Sequence, residues 1–413
     1  MNLKYKQTKS CRICGSEHLE PTLDLGVHAL SGVFPSSKSQ VITSGPLRLV
    51  RCLGECGLLQ LEHTYDLSEM YGDNYGYRSG LNTSMKKHLQ GKVDKILSFY
   101  CPSSGSVILD IGSNDGTVLA AYPEDYSLIG IDPTASKFRE YYPKNVTVVS
   151  DFFSGETFRN AMGNKQASII TSFAMFYDLE SPLEFVREVS SILAPDGIWA
   201  FEQSYMPTML KNNSYDTVCH EHLEYYSMKQ IQWMMDKVGL KVVDIEFNNV
   251  NGGSFSLIAA KSNSPIPESL MLKNVLEYEQ NLGLDNPLVY EAFSNRAVKN
   301  RDDVLRFFSN TKKEGQLVGA LGASTKGNVF LQYCGLSSKD IVAIGEINSD
   351  KFGSFTPGTL IPIIPEQELI RLNPDYLMVL PWHFKGTFVK NQTNVSLVFA
   401  IPNLEIINGD SNE

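Results

Sequence analysis

Chemistry is concentrated at three places in this sequence. Val107 to Leu119, VILDIGSNDGTVL, reads as an apolar strand, a glycine-bearing loop and a helix start, and Leu128-Ile-Gly-Ile-Asp132 follows as a second strand ending in an acid. A doubly wound sheet takes a nucleoside this way: the glycines admit backbone to the ligand and the acid takes ribose hydroxyls. The spacing is Asp110-x-Gly112-x-Asn114-x-Gly116, not G-x-G-x-x-G. Asp110 and Asp115 would repel a pyrophosphate and suit a sulfonium cation, so the expected cofactor is S-adenosylmethionine (SAM) rather than NAD. Asp151 and Phe152, after the third strand, are expected near the adenine, and Phe173 to Phe176 near the methionine side.

The second place is Cys219-His220-Glu221-His222-Leu-Glu224-Tyr225-Tyr226, dense in a chain with only seven histidines. Three readings compete: a metal site using His220 and His222, a helix cap with surface charges, and base chemistry in which His222 takes a proton while Glu221 orients or polarises it. Its position after the fifth strand, beside the expected methyl donor, favours the base. Methyl transfer to carbon needs a carbanion equivalent, and the hydroxyls of Tyr75, Tyr77, Tyr225 and Tyr226 could stabilise an enolate.

The third is Cys11-x-x-Cys14 with Cys52-x-x-x-Cys56, four of the seven cysteines. Each pair can present two thiolates from one tight knuckle, and four thiolates make a closed tetrahedral zinc site of structural type. His18, His28 or His63 could replace one ligand.

The elements that must position these groups follow from periodicity. Residues 1–69, turn-rich, form the zinc-binding module. Residues 70–262 begin with the tyrosine-dense Tyr71 to Gly80 loop and a helix from about Thr83. Strands at 107–111, 128–132, 146–149, 168–173 and 198–202 then alternate with helices, one of them over 182–193, stopped by Pro195-Asp-Gly197. After helix 228–238 come two strands, 241–247 and 254–260, joined by Asn251-Gly-Gly253. This is the seven-stranded, Rossmann-like methyltransferase layout within an α/β fold. Residues 263–413 hold helices at about 268–282 and 288–313, then a second Rossmann-like α/β domain. Its Gly322-Ala-Ser-Thr-Lys326-Gly-Asn328 loop reads either as a phosphate cradle or as a tight turn with a surface lysine. The tail after Asn408 is expected to be disordered.

A net charge of −10 argues against nucleic-acid binding. No apolar run reaches a membrane span, and the opening MNLKYKQTKSC lacks a signal-peptide core, so the cytoplasm is the expected compartment. A monomer or small homo-oligomer is expected.

Taken together, the cysteine quartet, YGYRSG, DIGSNDG, CHEHLEYYS, GASTKGN and Phe355 to Pro362 resemble, over essentially the whole chain, the bacterial C-methyltransferases that act on nucleotide-linked 4-keto deoxysugars. The resemblance implies SAM in the middle domain and a nucleotide sugar held partly by the third. It makes His222 the base that forms an enolate, Glu221 its partner, and Tyr77 a neighbour of the sulfonium on the substrate side. It turns Lys326, Gly327 and Asn328 toward the nucleotide sugar. Two positions depart from the family pattern: Cys219 stands where a tyrosine precedes HEH, and Asp178 lies about where a histidine follows the fourth strand. O- or N-methylation of another small metabolite or glycan precursor is the alternative reading. A zinc-module binding protein with an inactive methyltransferase domain is the second.

Overall fold

The computed structural model describes residues 5–66, 70, 78–390 and 395–409. The tail expectation falls largely on 410–413, outside the described residues. The strands in chain order are β1 (Tyr5–Gln7), β2 (Leu19–Ala29), β3 (Ser44–Cys52), β4 (Leu59–Leu61), β5 (His63–Tyr65), β6 (Val107–Ile111), β7 (Ser127–Ile131), β8 (Thr147–Val149), β9 (Ala167–Phe173), β10 (Leu193–Ser204), β11 (Glu224–Tyr225), β12 (Leu240–Asn248) and β13 (Ser254–Lys261). They continue with β14 (Val318–Leu321), β15 (Ile344–Glu346), β16 (Ile363–Pro365), β17 (Tyr376–Val379), β18 (Ser396–Phe399) and β19 (Glu405–Ile407).

All five residues of β6 are buried, as a strand covered on both faces requires. It sits inside a seven-stranded sheet of order β12-β13-β10-β9-β6-β7-β8, with only β13 antiparallel to its neighbours. Apolar layers cover both faces, one built on Leu109, Phe176, Trp199 and Phe201, the other on Ile108, Leu128, Ile169 and Ile198. The helix over 182–192 ends just short of Pro195-Asp-Gly197. That tripeptide becomes an irregularity in the β10–β9 pairing instead of a loop.

The third region contains the expected helices, Met271–Asn281 and Pro287–Lys313, and a six-stranded sheet of order β16-β15-β14-β17-β18-β19. Counted within the region this is the 3-2-1-4-5-6 order of a dinucleotide-type Rossmann sheet.

The first region departs from expectation. It is not merely short turns: β2 and β3 are 11 and 9 residues long and pair antiparallel. The four-stranded sheet they open is completed by β11, from the HEH segment, in the order β11-β4-β3-β2. Leu49, Leu59 and Leu61 of that sheet share one core with Met206, Tyr215, Cys219 and Tyr225, and with Phe293, Val329 and Phe330 of the third region. The segment 206–226 is therefore held from both sides by parts remote in sequence.

Candidate active site and zinc centre

The DIGSNDG loop leaves β6 at the carboxyl ends of the central strands, next to β9, where the strand order reverses and doubly wound sheets bind ligands. Gly112 and Gly116 have φ of 70° and 75°. A Cβ on Gly112 would approach the Met175 side chain at 3.1 Å, and one on Gly116 the Tyr142 ring at 2.7 Å. Asn114 also takes a positive φ of 50°. Asp132 accepts from Asn114 N at 2.9 Å and from Thr134 N and Oγ1, each at 2.6 Å, so its first work is to shape the loop. Asp110 accepts from Thr171 Oγ1 at 2.6 Å, and burial pushes its carboxyl up to about 7.

One electrostatic expectation is corrected. Asp115 is turned away onto Gly80 N (2.9 Å), Arg78 Nε (3.5 Å) and Thr117 Oγ1 (2.6 Å), so it presents no bare charge to a ligand. Ser79 N donates to Asn114 Oδ1 at 3.0 Å, tying the end of the YGYRSG loop to the SAM loop. Tyr75 and Tyr77 lie outside the described residues. Asp151 and Phe152 are exposed at the end of β8, with the ring 53% accessible and free to cover a flat ligand. A strand-end crevice, two positive-φ glycines and an exposed ring fit SAM.

His222 donates from Nδ1 to the Thr217 carbonyl at 2.9 Å, which leaves the lone pair on Nε2. Burial, helped by the nearby Lys326 ammonium, lowers its pKa to about 4, so the imidazole is neutral at pH 7. Its ring meets that of Tyr177 edge-on at 4.4 Å. Together they line a cavity of about 10 Å³ with Met206, Thr217, Glu224 and Tyr225. The Tyr225 hydroxyl points at the same Thr217 carbonyl from 3.5 Å.

Thr217 is thus the orienter, a role the sequence reading gave to Glu221. The Glu221 carboxylate instead packs against Gly32, where a Cβ would lie 2.4 Å from Oε1, and burial raises its pKa. His220 is wholly buried, with Nδ1 3.3 Å from Ser31 Oγ and its ring against Tyr65. The two HEH histidines face different environments and share no metal cluster among the described residues. Burial lifts the Cys219 thiol well above its ordinary value, with the carboxylates of Glu221 and Asp178 adding to it. The two departures from the family pattern therefore lie within electrostatic reach of one another.

In the third region, Gly327 N is spent on the Ser324 cap at 3.0 Å, and Asn328, fully buried, donates to Ser31 O at 2.8 Å. These two were expected to face substrate; helix capping takes the Gly327 N–H and packing against the first region takes the Asn328 side-chain N–H, while Asn328 Oδ1 is buried without a partner. Lys326 differs: its Nζ reaches Asn251 O at 2.6 Å, near the buried Asp216, which Trp382 Nε1 holds at 2.8 Å.

The Sγ atoms of Cys11, Cys14, Cys52 and Cys56 all lie within 4.8 Å of one another. Cys11–Cys56 is 3.3 Å and Cys14–Cys52 is 3.5 Å, too long for disulfides and near the roughly 3.8 Å edge of a tetrahedron with ~2.3 Å Zn–S bonds. A hydrogen bond from Cys56 lowers the Cys11 thiol to about 5, while burial and the Cys11 charge push Cys52 up to about 12. A dication at the centre relieves that conflict, so the quartet fits Zn²⁺. Between the first two ligands, Arg12 places Nε 3.5 Å from Glu224 Oε1, with 3% and 0% of the two side chains exposed. Sequence reasoning passed over Arg12 because only its neighbours carry ligand chemistry.

Three family models cover most of the chain: "Putative zinc binding domain" over residues 11–71, "Methyltransferase domain" over 85–245 and "C-methyltransferase C-terminal domain" over 249–402. The chain is similar to the C-methyltransferase NovU of Streptomyces niveus, 26% identical over 410 residues and 97% of each chain. Among solved structures it is similar to the CcbJ methyltransferase of Streptomyces caelestis (12% identity, 42% of this chain and 89% of that one, TM-score 0.33). It is also similar to an O-methyltransferase family protein of Burkholderia thailandensis (16%, 44% and 58%, TM-score 0.34). The sheet, the SAM loop and the matched domains define a SAM-dependent methyltransferase. Within that class its matched domains, zinc-binding at the N-terminus and C-methyltransferase at the C-terminus, and its similarity along the whole length of a C-methyltransferase support a C-methyltransferase with an N-terminal zinc-binding module. No helix among the described residues is long and apolar enough to cross a membrane.

Proposed function

We propose that this enzyme methylates the carbon beside the ketone of a nucleotide-linked 4-keto deoxysugar in the cytoplasm, with His222 as the base. The observation that carries the reading is the tautomer: with Nδ1–H given to Thr217 O, the lone pair is left on Nε2, and burial keeps the ring neutral. SAM, held by the loop from Gly112 to Gly116 with Asp110, Asp132 and Phe152, supplies an electrophilic methyl group. Tyr177 and Tyr225 wall the proton-transfer site, and the first region closes it behind Glu221.

The test incubates the enzyme with SAM and a panel of nucleoside-diphosphate 4-keto-hexoses, reading products by mass spectrometry. The expected product is heavier by one methylene, with the new methyl on carbon. Solvent deuterium should enter the position alpha to the ketone. His222→Ala should abolish both while SAM still binds. An O- or N-methyl product without exchange overturns the carbon reading, and calorimetry without SAM binding overturns the enzyme reading altogether.

A further inference from the structure

Lys326 is placed to do more than hold a phosphate. The cradle in which it would do so is already filled: Ala323 N donates to Glu346 Oε2 at 2.8 Å, Lys351 Nζ donates to Ala323 O at 2.7 Å, and Gly327 N is taken by the Ser324 cap. With the N–H groups of Gly322, Ala323 and Gly327 spent and a carboxylate at its back, the loop is a poor anion site. The lysine side chain leaves that loop and crosses to the methyltransferase region, where Nζ donates to Asn251 O. There it lies within electrostatic reach of His222, Cys219, Asp216 and His383. No carboxylate among the described residues pairs with it within 4.0 Å, although Asp216 stands near, 1% exposed, with Oδ1 unbonded. One of the three ammonium donors is used on Asn251, which leaves others for a ligand.

A cation beside a neutral base works against protonation of that base unless negative charge develops between them. Enolisation supplies that charge. Resting on the reading above, we propose that Lys326 is a catalytic residue that binds the ketone oxygen and holds it as it becomes the enolate oxygen. His222 Nε2 takes the alpha proton, the C–H pair becomes the C=C bond, and the carbonyl π pair moves onto the oxygen facing Nζ. The carbonyl then re-forms as the alpha carbon takes the methyl group; the C–S bond breaks with its pair left on sulfur, and the proton leaves His222 to solvent.

The test compares wild type with Lys326→Gln, which keeps a donor for the Asn251 carbonyl but no charge, and with Lys326→Arg, which keeps the charge. SAM affinity by calorimetry reports intact folding of the site. Lys326→Gln should lower kcat and alpha-deuterium exchange together by about 10²–10³-fold, as loss of an oxyanion donor does, with KM moved only a few-fold. Lys326→Arg should recover part of both. If Lys326→Gln raises KM but leaves kcat and exchange unchanged, the lysine holds a phosphate and the proposal fails while the carbon reading stands. If wild type itself shows neither exchange nor C-methylation with any ketosugar, the function falls, and the enolate role with it.

Discussion

Arg12→Gln is expected to damage this protein more than any surface substitution would. The guanidinium sits between two zinc ligands, and its Nη2 donates to Thr64 Oγ1 at 2.9 Å and Thr8 Oγ1 at 3.1 Å, with Leu61 O and His63 O at 3.4 Å. Its Nε faces the buried Glu224. Breaking a buried pair by removing one partner costs roughly 3–5 kcal/mol, because the other is left without compensation. Burial already pushes the Glu224 carboxyl far up, with Arg12 the main opposing influence, so in the variant Glu224 takes up a proton, which caps the loss. Urea unfolding of the zinc-loaded protein at neutral pH should show about 3–5 kcal/mol for Arg12→Gln. The Arg12→Gln/Glu224→Gln double variant should lose about 1–3 kcal/mol less than the sum of the singles. A cost under about 1 kcal/mol for Arg12→Gln, or additivity within about 0.5 kcal/mol, would refute the coupling.

Four further outcomes follow from the structure. Stripping the metal with a chelator, or Cys52→Ser, should unfold the first region and abolish methyl transfer, since β11 pairs with β4 there; near-wild-type turnover in metal-free protein sinks this idea. Burial holds His28 and His222 at about 4 and His220 and His383 at about 3, against 6.5 in an unfolded chain. Between pH 6.5 and about 4 the unfolded state therefore binds more protons, so the stability these rings contribute is present above 6.5 and lost as the pH falls; a denaturation midpoint flat from pH 7 to 5 contradicts it. The acid limb of kcat/KM should likewise lie near pH 4. Gly116→Ala, forced to a φ of 75° with its Cβ 2.7 Å from Tyr142, should weaken SAM binding at least tenfold by calorimetry, and an unchanged affinity argues against the loop as the cofactor site.

The seven-stranded sheet is legible in the sequence because strands buried on both faces leave nearly continuous apolar runs such as VILDI, interrupted only by Asp110, and glycine and proline punctuate them. The first region is not. LEPTLDLGVHA carries polar residues, and its pairing with β3 shifts register twice, which erases the alternation that marks a strand. β11 is two residues long and gains its identity only from a partner more than a hundred and fifty residues away. At the site, His222 was visible as a residue type, whereas its orienter is a backbone carbonyl with no sequence signature. Asn328 looked like a ligand-facing amide in a small-residue loop; only tertiary packing reveals that Ser31 claims it.

The main chain of Ala29 and the side-chain amide of Gln332 exchange two hydrogen bonds, 2.8 and 3.1 Å, across 303 residues of sequence. During synthesis at 5–20 residues per second, Ala29 and the residues that follow it must wait roughly 15–60 s for that partner to be made. Until then Ala29 and Ser31 lack the contacts that Gln332 and Asn328 supply, and the wall behind Glu221 lacks its backing from the third region. The enzyme therefore gains that wall only once Gln332 has been made, well after the cofactor sheet can form. Fragments that stop before the third region should bind SAM without being able to spend it on carbon.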